Sequence, residues 1–272
     1  MQTYEHIAMS FGAGVQSTAM LLLLIKEPDK ARNIFGQSPD AIYFSDPGAE
    51  GEETYRHLAA MKELLANRVP FYHLKDKNIM DVADLNLRGY AKGLSTLPLF
   101  TKGKDGKKGM LMRKCTDMYK VRPLRTAIRN VCQFAPRSRH PHAVGIWLGI
   151  STDEATRMKT SNVKWADNLY PLIELGWSRK DCYEYCVSHS VYPSKSRCYF
   201  CPFTSDWDVV KAQNPAEFAK AVAFDESIRH ALNVEAETYL HRSCLPLEQA
   251  VMLKPDFDYD GFDSECSGHC GI

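Results

Sequence analysis

The stretch that most restricts the fold lies near the N-terminus. A strand-like run, His6-Ile7-Ala8-Met9-Ser10-Phe11, passes through Gly12-Ala13-Gly14-Val15-Gln16-Ser17-Thr18 into the apolar helical run Ala19-Met20-Leu21-Leu22-Leu23-Leu24. A strand that turns over glycines straight into a helix aims the first-turn amides and the positive end of the helix dipole at one spot, which suits an anion. Gly12 and Gly14 let the backbone approach that anion closely and are expected to take φ > 0 where the turn needs it. Ser17 and Thr18 are expected to cap the helix or to donate to phosphate oxygens. Gln16 stands where a Walker-type loop has its lysine, so that loop type is excluded. Ser17 replaces the third glycine of a dinucleotide fingerprint. A tight turn without any ligand would look much the same in these few residues, so the remainder of the chain has to decide.

The remainder alternates strands and helices. Residues 40–46 and Phe71-Leu74 read as further strands, and Ala143–Gly149 is an apolar run of strand type. Residues 52–66, 78–88, 117–132, 178–190 and 215–231 read as helices, with Pro123 marking a restart and Pro215 standing at a first turn after Asn214. The Gly/Lys-rich segment 101–109 is expected to be a mobile loop. This alternation implies a mainly parallel twisted sheet with helices on both faces. The 272 residues divide into an α/β domain over 1–176 and a cysteine-bearing helical C-terminal region over 177–272 packed on it. In such sheets ligands sit beyond the carboxyl ends of the strands. Residues 12–18, Asp46-Pro47-Gly48 and Gly149–Arg157 all follow strand ends. No apolar run approaches the ~18 residues of a membrane span, and no leader segment is read, so a cytoplasmic protein without membrane contact is expected.

Charge and cysteine are unevenly distributed. Between Lys102 and Arg129 ten Lys/Arg face only Asp105 and Asp117, a window of net +8 in a chain of net +1, which leaves the rest at net −7. Such a window suits a nucleotide or nucleic acid, although a solvated charged loop has the same composition. Nine cysteines without a secretory segment suggest metal, cluster or redox chemistry. Cys198-Tyr199-Phe200-Cys201 has the spacing of a metal-binding pair, Cys266 and Cys270 form a terminal C-x3-C pair, and Cys115 sits among basic neighbours that favour its thiolate. Four thiolates close a tetrahedral zinc site or hold a [4Fe–4S] cluster; spacing does not distinguish these, nor does it exclude a redox dithiol or a free nucleophile. Cys182 and Cys186, at i and i+4 on a helix, read as core residues. Cys132 and Cys244 have no informative context.

With these segments in hand, the chain resembles the PP-loop (adenine nucleotide α-hydrolase-like) superfamily, and within it the phosphoadenylyl-sulfate (PAPS) reductase-like branch with its phage and DNA-phosphorothioation relatives. Ser10–Thr18 stands where that family has S-F-S-G-G-K-D-S. Asp46-Pro47-Gly48 with Glu53-Thr54 is similar to its D-T-G … E-T segment, and Cys115–Leu124 to its C-C-x-x-x-K-x-x-P-L. Gly149–Arg157 is similar to G-x-R-x-x-E-S-x-x-R, Tyr170–Glu174 with Arg179-Lys180-Asp181 to P-L-x-x-W-x-x-x-D, and Pro193–Cys201 to G-x-x-x-x-G-C-x-x-C. Six segments in order cover most of the chain. Gly12, Val15 and Gln16 replace a serine, a lysine and an aspartate of the family loop, and Cys115 stands alone where cluster-containing reductases have a pair.

The resemblance implies a Rossmann-like PP-loop fold and an adenine nucleotide, ATP or PAPS/APS, held by Ser10, Gly12, Ala13, Gly14, Gln16, Ser17, Thr18, Asp46, Lys120, Arg125 and Gly149, with Mg²⁺ on one carboxylate. It implies a metal or cluster on Cys115, Cys198 and Cys201, completed by Cys270, and substrate handling by Asp153, Glu154 and Arg157. Those three read equally well as the acidic first turn of a helix. Three activities are implied. One is adenylation of a nucleotide or nucleic-acid substrate with pyrophosphate release, for sulfur or nitrogen transfer. Another is sulfonucleotide reduction with Cys266 or Cys270 as nucleophile. The third is nucleotide binding without turnover in a defence or DNA-modification complex. A sulfur donor or reductant protein and a homo-oligomer are the expected partners.

Overall fold

The computed structural model describes residues 2–75, 78–80, 97–135, 139–193, 195–230 and 236–252. Five strands, β1 (His6–Ser10), β2 (Ala41–Ser45), β3 (Phe71–Leu74), β6 (Val144–Trp147) and β7 (Ala166–Leu169), form one sheet in the order β3-β2-β1-β6-β7. Every neighbouring pair is parallel, with Ala8 opposite Ala41 on one side and Ile146 on the other. Parallel strands buried on both faces need apolar side chains in both directions. β1 supplies them: Ile7 and Met9 point into one core and Ala8 into the other. The Rossmann-like α/β architecture expected from the alternating pattern is therefore present.

α1 (Val15–Lys26) lies against the first face, with α3 (Glu52–Leu65) and α6 (Arg179–Ser188). Its residues from Val15 to Ile25 are all buried, as a helix that is apolar all round must be. α2 (Pro28–Phe35) follows α1 at once and joins it to β2. Cys182 and Cys186 of α6 are buried in the same core, and burial pushes the Cys186 thiol up to about 12. α6 starts where Ser178 accepts from the Asp181 amide while the Asp181 carboxylate accepts from the Ser178 amide. On the other face α4 (Arg122–Val131) packs Leu124 and Ile128 onto Tyr43 and Ile146. A π-turn over Asp117–Val121 precedes α4. Pro123 lacks the amide that would continue the regular ladder, so the chain widens there and restarts, as its position in the sequence suggested.

A third core lies beside the sheet. Phe200, α7 (Trp207–Gln213), α8 (Pro215–Ile228) and α9 (Leu247–Met252) bury Trp207, Phe218, Phe224 and Leu247 against Leu99 and Tyr119. A small antiparallel sheet, β5-β4-β8, completes it from β4 (Phe100–Gly103), β5 (Lys108–Met110) and β8 (Ala236–Tyr239). The segment 101–109 is thus a β-hairpin and not the loop expected from its glycines and lysines. Pairing with β8, over 130 residues away, supplies order that local composition does not encode. Most of the helix expected over 78–88, and the tail with Cys266 and Cys270, lie outside the described residues.

Gly145, in the middle of β6, shows how tightly the sheet meets its neighbours. A Cβ there would stand 2.6 Å from Leu169 Cδ1 and 2.9 Å from Ile7 Cδ1. Gly145→Ala is expected to destabilise the fold by about 1–3 kcal/mol through overpacking, read as a lower urea midpoint with an unchanged slope.

Candidate functional site

The strand order reverses between β1 and β6. From β1 the chain winds to β2 and β3, then crosses back to lay β6 on the opposite side of β1. Loops leaving two such strands diverge and open a crevice at their carboxyl ends. The first turn of α1 opens on this crevice. Gly14 holds its N-cap position with extended geometry (φ −95°, ψ 180°), offers no side-chain oxygen, and no acidic residue follows in the first turn. A helix end of this kind has orphan amides and a positive dipole for an anion. The left-handed residue of the turn is Ala13 (φ 58°), not Gly12 or Gly14 as expected. Ser17 and Thr18 do not cap the helix either: Ser17 Oγ donates to the Gly14 carbonyl at 3.1 Å, and Thr18 Oγ1 meets His57 Nε2 at 2.8 Å. Ser10 ends β1 in register with Tyr43.

The β6 side of the crevice is bound directly to this turn. A Cβ on Gly149 would come within 3.2 Å of the Ser17 amide nitrogen and 3.3 Å of Gln16 Cβ, so only glycine admits this approach without displacement. Gln16 Nε2 donates to Ser151 Oγ at 3.4 Å and to Glu154 Oε2 at 3.2 Å, and Glu154 Oε1 accepts from Arg157 Nη1 at 2.7 Å. Asp153 Oδ1 accepts from the Arg179 amide at 2.8 Å and so tethers the start of α6. Residues Thr152–Arg157 form a 3-10 turn with Asp153 and Glu154 in its first turn. Glu154 and Arg157 thus reach the loop, whereas Asp153 acts on a helix.

At the end of β2, Asp46 is 3% exposed. Its Oδ1 accepts from the Gly48 amide and the Tyr55 hydroxyl, each at 2.7 Å, and its Oδ2 from His73 Nε2 at 2.7 Å. Asp46 and Glu154, which flank the crevice, each accept on both oxygens, yet Asp46 Oδ2 and both Glu154 oxygens take one donor apiece and keep a lone pair. Of the two, Glu154 is the less buried and would be the carboxylate to hold Mg²⁺.

A second space adjoins the first. Pro47, next to Asp46, lines a cavity with Ile79, Arg113, Cys115, Lys120, Cys198, Cys201 and Phe203. The Cys201 backbone N–H donates to the Cys198 carbonyl at 3.1 Å, and Cys198 pairs with Glu50 through an isolated antiparallel backbone bridge. Lys120 Nζ reaches Glu50 Oε1 at 2.8 Å, while Glu50 Oε2 is buried without a hydrogen-bond partner among the described residues. The Arg113 guanidinium lies 4.7 Å from the centre of the Phe203 ring. Beside Cys198, Lys195 and Arg197 bond Asp206 at 3.0 and 2.8 Å. Burial pushes that carboxyl up, but the Arg197 and Lys195 charges outweigh it and hold the carboxyl below its usual range. Cys115, Cys198 and Cys201 are thus brought to one cavity. Even so, among the described residues no group of three or more His, Cys, Asp or Glu is arranged to hold a metal ion, and Cys270 lies outside them. Arg125 is turned away to Asn162 Oδ1, at 2.6 Å.

His57, His73, Tyr55 and Glu50 escape sequence reasoning. Each is defined by what it touches, and no spacing in the chain announces those contacts.

Two consequences can be measured. Burial lowers the His57 pKa to about 4. The unfolded chain, near 6.5, then binds the proton more readily, so stability falls as pH drops from about 6.5 towards 4, by about 2 kcal/mol after allowing for partial solvent screening. His57→Gln should flatten this acid limb in urea titrations at pH 7.5, 5 and 4. Gly149→Ala should push on the Ser17 amide and weaken nucleotide binding about tenfold by calorimetry, with less than 1 kcal/mol lost from the fold.

A profile of the phosphoadenosine phosphosulfate reductase domain matches residues 6–195. The solved phosphoadenylyl-sulfate (PAPS) reductase from Candida auris, in a phosphate complex, is 13% identical, with 70% of this chain and 76% of that chain covered at a TM-score of 0.43. Comparison with curated sequences gave no match. The profile spans more than half of the chain, from the start of β1 past the end of α6, and includes the whole crevice: the chain belongs to the phosphoadenosine phosphosulfate reductase domain family.

Proposed function

We propose that this protein binds the phosphates of an adenine nucleotide at the N-terminus of α1 and uses the nucleotide in sulfur chemistry on a second substrate presented at the cysteine-bearing cavity. One observation carries this reading: the two sites share a wall. Asp46 ends the strand beside the nucleotide crevice, its neighbour Pro47 lines the cavity, and Lys120 reaches from the cavity to Glu50. In this reading ATP lies across Gly12–Thr18 and Asp46. An oxygen of the second substrate attacks the α-phosphorus; its P–O bond forms as the bond to the leaving group breaks, and pyrophosphate departs with the electron pair. A sulfur or nitrogen nucleophile then attacks the adenylated carbon and AMP leaves. The first-turn amides, Lys120 and Arg113 balance the charge that develops. Glu154 and Arg157 hold the substrate on the β6 side, and Asp153 acts through the helix it tethers.

A second reading, reduction of PAPS or APS, is favoured by the family match over residues 6–195. A thiolate of Cys266 or Cys270 attacks the sulfonyl sulfur. The S–S bond forms, the S–O bond breaks, and its electron pair leaves on the nucleotide phosphate. An external dithiol, as in a small redox protein, then takes the sulfonate off as sulfite and becomes a disulfide.

Product analysis separates the readings. Incubation with ATP and a candidate acceptor is expected to release pyrophosphate. Sulfite and a nucleoside phosphate from PAPS or APS plus dithiol, with no pyrophosphate from ATP, would replace the first reading by the second. Stoichiometric nucleotide binding with neither product would leave a binding subunit. Iron, sulfide and zinc analysis of the full chain, repeated on Cys198→Ser and on Cys270→Ser, reports whether each of these cysteines belongs to a ligand set around the cavity.

A further inference from the structure

The basic window of the sequence is only partly used by the two sites above. Lys120 faces Glu50, Arg122 pairs with Asp117 at 2.7 Å, and Arg125 bonds Asn162. Arg129, on α4, donates to the Ala135 carbonyl at 3.0 Å, and the rest of the charge is carried by the β4–β5 hairpin and its root. One face of the small sheet is closed, since Thr238 is fully buried and its hydroxyl donates to the Ile228 carbonyl of α8. The opposite face carries two cross-strand rows. Met110, Phe100 and Tyr239 form one row, and Lys108, Lys102 and Glu237 the other. Arg229 stacks 3.7 Å over the Tyr239 ring. Lys104 and Lys107 stand at the tip and are exposed, as are Met110 and Met112.

This arrangement is unfavourable on its own. Like charges directly opposite one another across a strand pair repel, and Lys102 is opposite Lys108 with Lys104 and Lys107 close by. The acids in reach are few: Asp105 is bound to Lys107 at 3.1 Å, and Glu237 accepts from the Tyr239 hydroxyl while facing Lys102. Lys108 Nζ donates to the Ser243 carbonyl, a neutral partner. Lysine on an edge strand commonly guards against aggregation. That accounts for Lys108 on β5 but not for Lys102, because β4 is the central strand of its sheet. The hairpin also leads to the site. The Leu111 amide donates to the Leu99 carbonyl, and the two chains below that bond supply Leu97, Pro98, Arg113 and Cys115 to the cavity wall.

We propose that the β4–β5 hairpin docks a single-stranded nucleic acid, with Lys102, Lys104, Lys107 and Lys108 on its phosphates and the strand led along the hairpin to the mouth of the cavity of Cys115, Cys198 and Cys201. Four lysines gathered around the exposed Met110 suit a phosphate backbone to be tracked; Tyr239 is buried beneath Arg229 and Phe100 is half-buried, so the phosphate contacts carry the docking. This deepens the first functional reading by naming its second substrate, yet it stands on separate residues from the nucleotide crevice.

The test measures the two separately on the full chain. A fluorescein-labelled mixed-sequence 20-nucleotide RNA or DNA is titrated by anisotropy over a salt series, and ATP by calorimetry. The triple variant Lys102→Gln, Lys104→Gln, Lys108→Gln is expected to bind the oligonucleotide at least about tenfold more weakly. Its log K against log salt should flatten by about 2, from about 0.7 per lost phosphate contact, while ATP binding is unchanged. If the triple variant fails to fold, Lys104→Gln alone, at the exposed tip, should flatten the slope by about 0.7. Absence of oligonucleotide binding, or binding and slope equal to the parent in whichever variant is folded, overturns the proposal. So does polyglutamate that competes as strongly as the oligonucleotide, which would mark an acidic protein as the partner. Loss of ATP binding by the parent chain would sink the nucleotide reading and leave the hairpin result standing.

Discussion

The parallel pairing of β1 with β6 is the constraint on which the rest of the described structure depends. It sets two strands that belong to opposite windings side by side, and their loops must separate at the carboxyl edge. Into that opening the chain sends α1, a helix apolar on every side that only the centre of the fold can accommodate. Gly149 then lies so close to the Ser17 amide that any side chain would intrude. The anion-receptive end of α1 is therefore held by packing as much as by hydrogen bonds. Gln16, reaching to Ser151 and Glu154, closes the same gap with polar contacts.

Charge is handled differently inside and outside this frame. Around the crevice and cavity the acids are met by donors: Asp46 by Gly48, Tyr55 and His73, the half-buried Glu154 by Gln16 and Arg157, Glu50 on one oxygen by Lys120, and Asp206 by Lys195 and Arg197. Such networks fix geometry, because an acid left without donors in a low-dielectric interior is costly. At the hairpin the balance is reversed, and cations gather with few acids to answer them. Positive charge is thus concentrated at the surface of the small sheet, while the acids around the crevice are met by donors from neighbouring elements.

The sheet and the main helices were legible because their signals are periodic and local. Ile7 and Met9 alternate with Ala8 as a strand requires, Ser178 and Asp181 announce a helix start, and Pro123 marks the restart of α4. The hairpin and β8 were not legible. Lys102, Gly103, Lys104 and Gly106 carry little strand propensity, and the register with Glu237 and Thr238 arises only when the third core has assembled. The turn before α1 joins strand to helix as its glycines suggested, but its left-handed position falls on Ala13 and not on Gly12 or Gly14. The three segments expected at strand ends did converge, and the fold also separated them in role: Glu154 and Arg157 at the loop, Asp153 on α6, Arg125 away at Asn162.

The sequence by itself determined the alternation of strands and helices that makes the parallel sheet, the strand-turn-helix form of the first loop and the family to which its motifs belong. These are encoded in short windows, where spacing dictates chemistry. Only the tertiary structure decided that Cys115, Cys198 and Cys201 face one cavity, that His57, His73 and Tyr55 secure Thr18 and Asp46, and that a run of lysines becomes a sheet face. Those are contacts between residues far apart in the chain. Their energies come from burial and from partners that no local pattern can name.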